Sequence, residues 1–207
     1  ADAVRDAARA LKAKGIGSIA IVFLFSYMNP DHERRARDVI LDAWPEADVS
    51  LSSDVLPRIR EWPRMSTTLL NAYLEPILMH YIGDLARGLD AAGVKTAQRF
   101  LMQSNGGVMP FQAAMAGGKT VHTLFSGPAA GAEAAAYLAA DDAKRGLVTL
   151  DMGGTSCDIA FIEGGAPLEV TEAEVARRRL DVPALDLTTI SAGGGSIAWI
   201  DGGGLLA

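Results

Sequence analysis

Cysteine is nearly absent: Cys157 is the single thiol in 207 residues. No intramolecular disulfide can form, and that usage suits a reducing compartment, so a cytoplasmic protein is expected. Histidine is scarce too. His32, His80 and His122 have no ligand-like spacing, which predicts no zinc site. A basic excess is also missing, because 19 Lys and Arg stand against 25 Asp and Glu for a net charge of −6. Binding to a phosphate backbone needs a clustered basic surface, so nucleic acid is not an expected partner. Long apolar runs are lacking as well. The longest, Ile16 to Phe25, is broken by Gly17 and Ser18 and is about half the length of a bilayer span. No secretory leader pattern precedes the first helix, so membrane association is not expected either.

What remains is an apolar half of the composition, enough for a real core. Val4, Ala7, Ala8 and Leu11 fall at helical spacing, and Gly15 ends that helix. Ile19 to Phe25 reads as a strand buried on both faces, as in a parallel sheet covered by helices. Asn29-Pro30-Asp31 is a helix start, and that helix runs to about Trp44. A strand near Val49 to Ser52 completes a βαβ-like unit. Pro57 to Pro63 is a proline-flanked connection. A long helix follows from Ser66 to about Ala92, with Leu70, Leu74, Ile77, Tyr81 and Leu85 on one stripe and a kink expected at Pro76. Gln98 to Gln103 and Val121 to Phe125 read as strands, and an alanine-rich helix runs from Ser126 to about Ala140. The last third, with strands at Leu147–Asp151, Cys157–Glu163 and Pro167–Thr171, reads as an antiparallel meander. The fold class is mixed α/β.

The stretch that carries chemistry is Asp151-Met-Gly-Gly-Thr-Ser-Cys-Asp158. A buried strand delivers an aspartate to its end, and glycines then let the backbone turn with positive φ. Successive N–H groups in such a turn can form an anion-binding nest, to which Thr155 and Ser156 add hydroxyls. Asp151 can hold the water shell of a magnesium ion. The alternative is an ordinary Asp-Gly-Gly hairpin whose aspartate caps its own turn. No Gly-Lys-Ser/Thr follows these glycines, and a strand rather than a helix comes next. Walker and dinucleotide loops are therefore excluded.

Other segments are open to two readings. Asn105, Gly106 and Gly107 form a substrate- or phosphate-facing turn, or a plain one. Ser126-Gly127-Pro128 opens a helix whose N-terminus either receives an anion or is simply capped. Gly193, Gly194 and Gly195 before Ser196 imply close backbone approach, and a ligand-facing role is expected for all four. Ser66, Thr67, Thr68 and Asn71 either cap the long helix or line a cleft as substrate contacts. Arg60 and Arg64 either grip a substrate carboxylate or form surface ion pairs. Cys157, with no histidine beside it, reads as a small buried residue rather than a nucleophile.

The hairpin resembles the second phosphate loop of the actin, sugar-kinase and Hsp70 superfamily. Over nearly its whole length the sequence is similar to the hydantoinase A/5-oxoprolinase family, including its N-methylhydantoinase members. The resemblance rests on Leu51–Pro57, Ser66–Tyr73, Met102–Val108, Leu124–Gly131, Asp151–Asp158 and Ile190–Ala198, in the family's order. It implies an actin/hexokinase (ribonuclease H-like) fold, incomplete in this stretch, with a mixed sheet and flanking helices. Residues 1–64 would end an N-terminal lobe, and 65–207 would form the central part of the ATPase lobe. It further implies an ATP- and Mg2+-dependent hydrolase that phosphorylates the oxygen of a cyclic amide so that water opens the ring. Asp151 and Asp158 would be catalytic, with magnesium on Asp151 through water, and Gly153, Gly154, Thr155 and Ser156 would hold phosphate oxygens. A hydantoinase B-type subunit, separate or fused, is the implied partner, and homo-oligomerisation stays open. The family often has threonine where Cys157 stands and histidine where Thr188 stands. Its other phosphate loop and its adenosine segment are absent, so an internal fragment that alone hydrolyses no ATP is expected. Two alternatives keep the superfamily: an acetone/acetophenone carboxylase-type subunit, and a non-catalytic actin-like assembly protein.

Overall fold

The computed structural model describes residues 1–139, 146–175 and 177–205. Helix α1 (Asp2–Ala13), strand β1 (Ser18–Ile21), helix α2 (Asp31–Ala43) and strand β2 (Asp48–Leu51) form the opening βαβ unit. β1 and β2 are parallel, in register from Ser18 opposite Asp48 to Ile21 opposite Leu51. Ala8, Ile19, Ile21, Ala36, Ile40, Trp44 and Leu51 make its core. The expected strand to Phe25 stops at Ile21, and β1 alternates rather than burying both faces. Beyond Val22 the chain turns away: Glu33 accepts the Phe23 N–H at 2.8 Å, and Phe25 takes a φ of 57°. Leu24 and Phe25 consequently face solvent. Asn29 starts α2 through an Asx turn, its Oδ1 accepting the Asp31 N–H at 3.0 Å.

After the short helix α3 (Ser52–Val55), helix α4 runs from Glu61 to Ala91. It thus takes up the second half of the proline-flanked connection, with Pro63 in its first turns, where a missing N–H costs little. Pro76 lies within it and the helix continues on both sides. The division at 64/65 falls inside this helix. The expected apolar stripe does not set its orientation, since Ile77 and Tyr81 are exposed. The face turned inward carries Arg64, Thr67, Thr68, Asn71, Ala72, Glu75 and Ile82. Hydrogen bonding explains the inversion. Glu75 accepts from Ser50 Oγ (2.6 Å), Asn71 Nδ2 (2.7 Å) and the Gly118 N–H (2.8 Å). Asn71 Oδ1 accepts the Val121 N–H, and Thr67 Oγ1 accepts the Asp181 N–H. Buried loop amides need acceptors, and the first half of α4 supplies them. Apolar contact adds to this in both halves, through Leu70 against Val55, Leu56, Val121, Leu180 and Val182 and through Ile82 against Met109, Phe111 and Ala114.

Strands β3 (Phe100–Met102) and β4 (Val108–Pro110) form a hairpin, followed by helix α5 (Phe111–Met115). The expected strand at Val121 to Phe125 is instead a 3-10 turn over Thr120–Thr123 leading into helix α6 (Ser126–Leu138). Its backbone polar groups are taken by side chains and by single backbone bonds, such as Ser104 N–H to His122 O, rather than by a strand ladder. Ser104 Oγ donates to His122 O and accepts the Phe125 N–H. The expected end of α6 at Ala140 lies outside the described residues.

His122 in this turn is held below the ordinary histidine pKa, first by burial and then by the charge of Lys119. Its Nε2 is buried without a partner among the described residues. Because the folded state keeps the neutral form, its contribution to stability is complete above the unfolded pKa, near 6.5, and declines as pH falls below it. Urea midpoints measured from pH 7.5 to 5 should fall, and the slope should shrink in a His122→Gln variant.

The last part forms the sheet that carries the site. Strands β5 (Leu147–Met152) and β6 (Cys157–Glu163) pair antiparallel, and the positive-φ Gly164 and Gly165 turn the chain into β7 (Ala166–Pro167) on β6. The expected third strand, Pro167 to Thr171, is divided: β8 (Glu169–Val170) pairs with β11 (Ala184–Leu185) instead. Strands β9 (Ala173–Val175) and β10 (Arg178–Leu180) form a hairpin held to α4 by the Ser66 Oγ to Arg179 O bond. Strand β12 (Leu187–Ile190) completes the order β12-β6-β5. α6 covers one face of this sheet, with Ala129 and Ala132 clustered with Ala160 of β6 and Leu185 of the neighbouring β11. Among the described residues no helix is long and apolar enough to cross a membrane.

Candidate functional site

The β5–β6 register decides the geometry. Asp151 lies directly opposite Asp158, and Thr189 of β12 lies opposite Asp158 on the other side. Residues paired across strands point to one face, so two carboxylates and a hydroxyl stand in a row at the end of the sheet. Thr189 Oγ1 donates to Asp158 Oδ1 at 2.6 Å and fixes that carboxylate. Opposed like charges are destabilising across a sheet, and a cation between them would remove the repulsion. On the α6 side the approach is close: a Cβ on Gly131 would come within 3.0 Å of Asp151 Oδ2. Both aspartates line a cleft of about 480 Å³ between α6 and the sheet, with Pro128, Gly131, Thr149 and Leu187.

The hairpin tip closes on one bond, from the Gly153 N–H to Ser156 O at 2.9 Å. Neither Gly153 nor Gly154 has a positive φ, so left-handed backbone is not why glycine stands there. Crowding within the protein does not demand glycine there either. A Cβ on Gly154 would meet nothing within 4 Å, and one on Gly153 would meet only Ser156 O at 3.7 Å. The space beside the Cα atoms of Gly153 and Gly154 is therefore unfilled. The N–H groups of Gly154, Thr155 and Ser156 have no acceptor among the described residues. Free amides, two adjacent hydroxyls and no side-chain bulk form a donor set suited to phosphate oxygens, and the paired carboxylates beside it suit hydrated magnesium.

The triple-glycine segment is brought to this tip, though not as free donors. Gly194 N–H donates to Gly153 O and Gly195 N–H to Gly154 O, each at 2.9 Å. Gly193 N–H donates to Ser196 Oγ, and Ser196 N–H donates to Gly193 O. All four amides expected to face a ligand are thus engaged within the protein. Asn105, Gly106 and Gly107 form the β3–β4 turn, where Asn105 Oδ1 accepts the Gly107 N–H. The turn sits against α6, and a Cβ on Gly106 (φ 79°) would clash with the Glu133 carboxyl at 2.3 Å. Thr67 and Asn71 are fully buried, Thr67 Oγ1 accepting the Asp181 N–H and Asn71 bonding Ser50, Glu75 and the Val121 N–H, so among the described residues neither lines the cleft beside the aspartates. Arg64 is also buried: its Nη2 donates to Phe23 O, and its guanidinium lies over the Tyr27 ring. It is no surface ion pair. Cys157 is buried and free, on the face opposite Asp158. Gly131 and Thr189 were missed by motif reasoning. The Gly131 signal was present in the Ser126–Gly131 block, whereas Thr189 is identified only by register.

The hydantoinase/oxoprolinase family model matches residues 64–207, and the model of that family's N-terminal region matches residues 1–43. The chain belongs to the hydantoinase/oxoprolinase family. The caprolactamase subunit alpha of Pseudomonas jessenii is 35% identical over 204 residues, 99% of this chain and 29% of that protein. The 5-oxoprolinase of Saccharomyces cerevisiae is 37% identical over 203 residues, 96% of this chain and 15% of that protein. The nucleotide-free structure of acetone carboxylase, described as an enzyme of ATP-dependent acetone carboxylation, superposes with a TM-score of 0.85 at 29% identity, covering 100% of this chain and 29% of that one. This member of the family thus spans less than a third of the relatives it matches. Its fold is of the actin/hexokinase type, in a mixed α/β form with small sheets.

Proposed function

We propose that this hydantoinase/oxoprolinase stretch supplies one phosphate-binding hairpin to an ATP-dependent enzyme that opens a cyclic amide. The observation that carries the reading is the hairpin tip, where three N–H groups with no acceptor among the described residues stand beside the opposed carboxylates of Asp151 and Asp158. Asp151 and Asp158 would hold a hydrated magnesium ion. Gly154, Thr155 and Ser156 would hold phosphate oxygens through N–H groups, aided by the two hydroxyls. Bound Mg-ATP would supply a phosphoryl group for the amide oxygen, which makes the ring carbonyl open to attack by water. Thr189 keeps Asp158 oriented, and Gly131 leaves room for the Asp151 carboxylate against α6. With one hairpin present, these 207 residues alone turn over no ATP. Kinship to a subunit termed alpha supports a partner subunit, and cytoplasmic residence belongs to the same proposal.

A lactam is favoured as substrate because caprolactamase and 5-oxoprolinase are both among the relatives. The superposition on acetone carboxylase favours a second reading, ATP-dependent carboxylation of a ketone. Phosphate release by the full-length protein, with its partner subunit where one exists, separates them. Lactams and cyclic imides should stimulate it without added bicarbonate. Stimulation by a ketone only with bicarbonate would establish the second reading, and filament formation without substrate-dependent turnover would overturn both.

A further inference from the structure

The segment from Leu187 to Ser196 grips the phosphate hairpin at two places. At its strand end, Thr189 Oγ1 holds Asp158 Oδ1. At its loop end, Gly194 and Gly195 donate their N–H groups to the carbonyls of Gly153 and Gly154. Those bonds fix the peptide planes of the tip. The contact is backbone on backbone, and it leaves no room for side chains at two of the three glycines. A Cβ on Gly193 would fall 2.6 Å from the Thr155 nitrogen and 2.7 Å from Gly153 O. One on Gly195 would fall 2.8 Å from Gly154 O. Gly194 differs, since its Cβ would be 3.7 Å from Gly153 O, an ordinary contact. None of the three has a positive φ, so the demand for glycine is steric.

We infer that Gly193, Gly195 and Thr189 are positioning residues, forming a clamp that holds the hairpin in its phosphate-competent shape while making no ligand contact through the loop amides. The physical reason is preorganisation. A two-strand tip with two glycines is soft, and free N–H groups converge on an anion only if the intervening peptides are fixed. Glycines elsewhere in the tip must stay open for the ligand, so stiffness has to come from outside. The Leu187–Ser196 segment provides it, and because it reaches Asp158 as well, it sets the carboxylate and the amides relative to one another.

This inference rests on the phosphate-loop reading, and the test separates the two. Gly193→Ala, Gly194→Ala, Gly195→Ala, Thr189→Val and Asp151→Ala are compared in the full-length protein, with KM measured separately for Mg-ATP and for the ring substrate. Gly193→Ala and Gly195→Ala should lose up to about 10²-fold in kcat/KM for ATP, the scale of a misplacement near 1 Å, with the ring substrate's KM unmoved. Gly194→Ala should lose at least about fivefold less than either neighbour, because its Cβ meets only an ordinary contact. Thr189→Val should move the ATP parameters in the same direction. Equal losses at all three glycines would overturn the clamp and make the loop a direct ligand contact. Turnover of ATP by Asp151→Ala would sink the phosphate-loop reading itself. If Asp151→Ala is inactive while Gly193→Ala and Gly195→Ala match the parent, only the clamp falls. Should the alanine variants not fold, hydrogen exchange in the parent protein decides. Peptides covering Gly194 and Gly195 should be protected without nucleotide, and those covering Gly154 to Ser156 only with Mg-ATP. Protection of Gly194 and Gly195 that appears only with Mg-ATP would overturn the inference.

Discussion

Asp151→Ala in the full-length protein is expected to lower kcat for ATP turnover by at least about 10²–10³-fold, the range produced by removing one preorganised electrostatic group. Fold stability should not fall with it. Asp151 is exposed and accepts no hydrogen bond among the described residues, so no buried donor is stranded. Its loss also removes the like-charge opposition to Asp158, which favours the folded sheet if it changes anything. The melting temperature should therefore stay level or rise while activity disappears. Asp151→Asn sharpens the experiment, because the amide keeps the shape of the side chain and loses only the charge. It should be nearly as inactive as alanine, and excess magnesium should recover little. Parent-like turnover in either variant would mean that Asp151 is only the end of a strand.

How much of this was legible beforehand follows from what kind of pattern each feature leaves in a sequence. The hairpin was legible because its chemistry is local: Asp151 through Asp158 place two carboxylates and the tip between them in eight consecutive residues. The βαβ opening was legible from Asn29-Pro30-Asp31 and from apolar runs of strand length. The long helix α4 was legible in its C-terminal end, but its start at Glu61 and its orientation were not. Ile77 and Tyr81 of its apolar stripe face solvent although Leu70 and Leu85 pack inward, while Asn71 and Glu75 are buried. Periodicity assumes that burial follows hydrophobicity. Here the first half of the helix is buried by its hydrogen bonds to Ser50, Gly118 and Val121, none of which periodicity can see. The same blindness turned Val121 to Phe125 into an expected strand. The triple glycine was read correctly as a close backbone approach. What approaches it is the hairpin 40 residues earlier, and sequence spacing carries no information about that partner.

Glu33→Ala is expected to be the most damaging substitution for stability, at about 3–5 kcal/mol, because several donors lose their acceptor in a buried place. Glu33 is fully buried on α2. Its carboxylate accepts the Phe23 N–H at 2.8 Å, the Ser53 N–H at 2.9 Å and the Ser52 hydroxyl at 2.6 Å. Those groups lie just past the ends of β1 and β2, with Ser52 and Ser53 opening α3, so one side chain ties off both parallel strands beyond their ladder. Burial alone would raise its pKa, but the bonds from Ser52, Phe23 and Ser53 outweigh it and hold the group below the ordinary carboxylate value. The sign follows: the stabilisation is complete above the unfolded carboxylate pKa and is lost as pH falls through the folded one. Glu33→Gln keeps the volume and one acceptor oxygen, so it should recover part of the loss while abolishing that acid-side dependence. Urea unfolding of the parent, the alanine and the glutamine variants between pH 7 and 3 measures all of this. Equal midpoints for parent and alanine would show that the strand ends hold together without Glu33. The effect should not reach the ATP parameters directly, because among the described residues the hydrogen bonds of Glu33 go to Phe23, Ser52 and Ser53 and none goes to the β5–β6 hairpin.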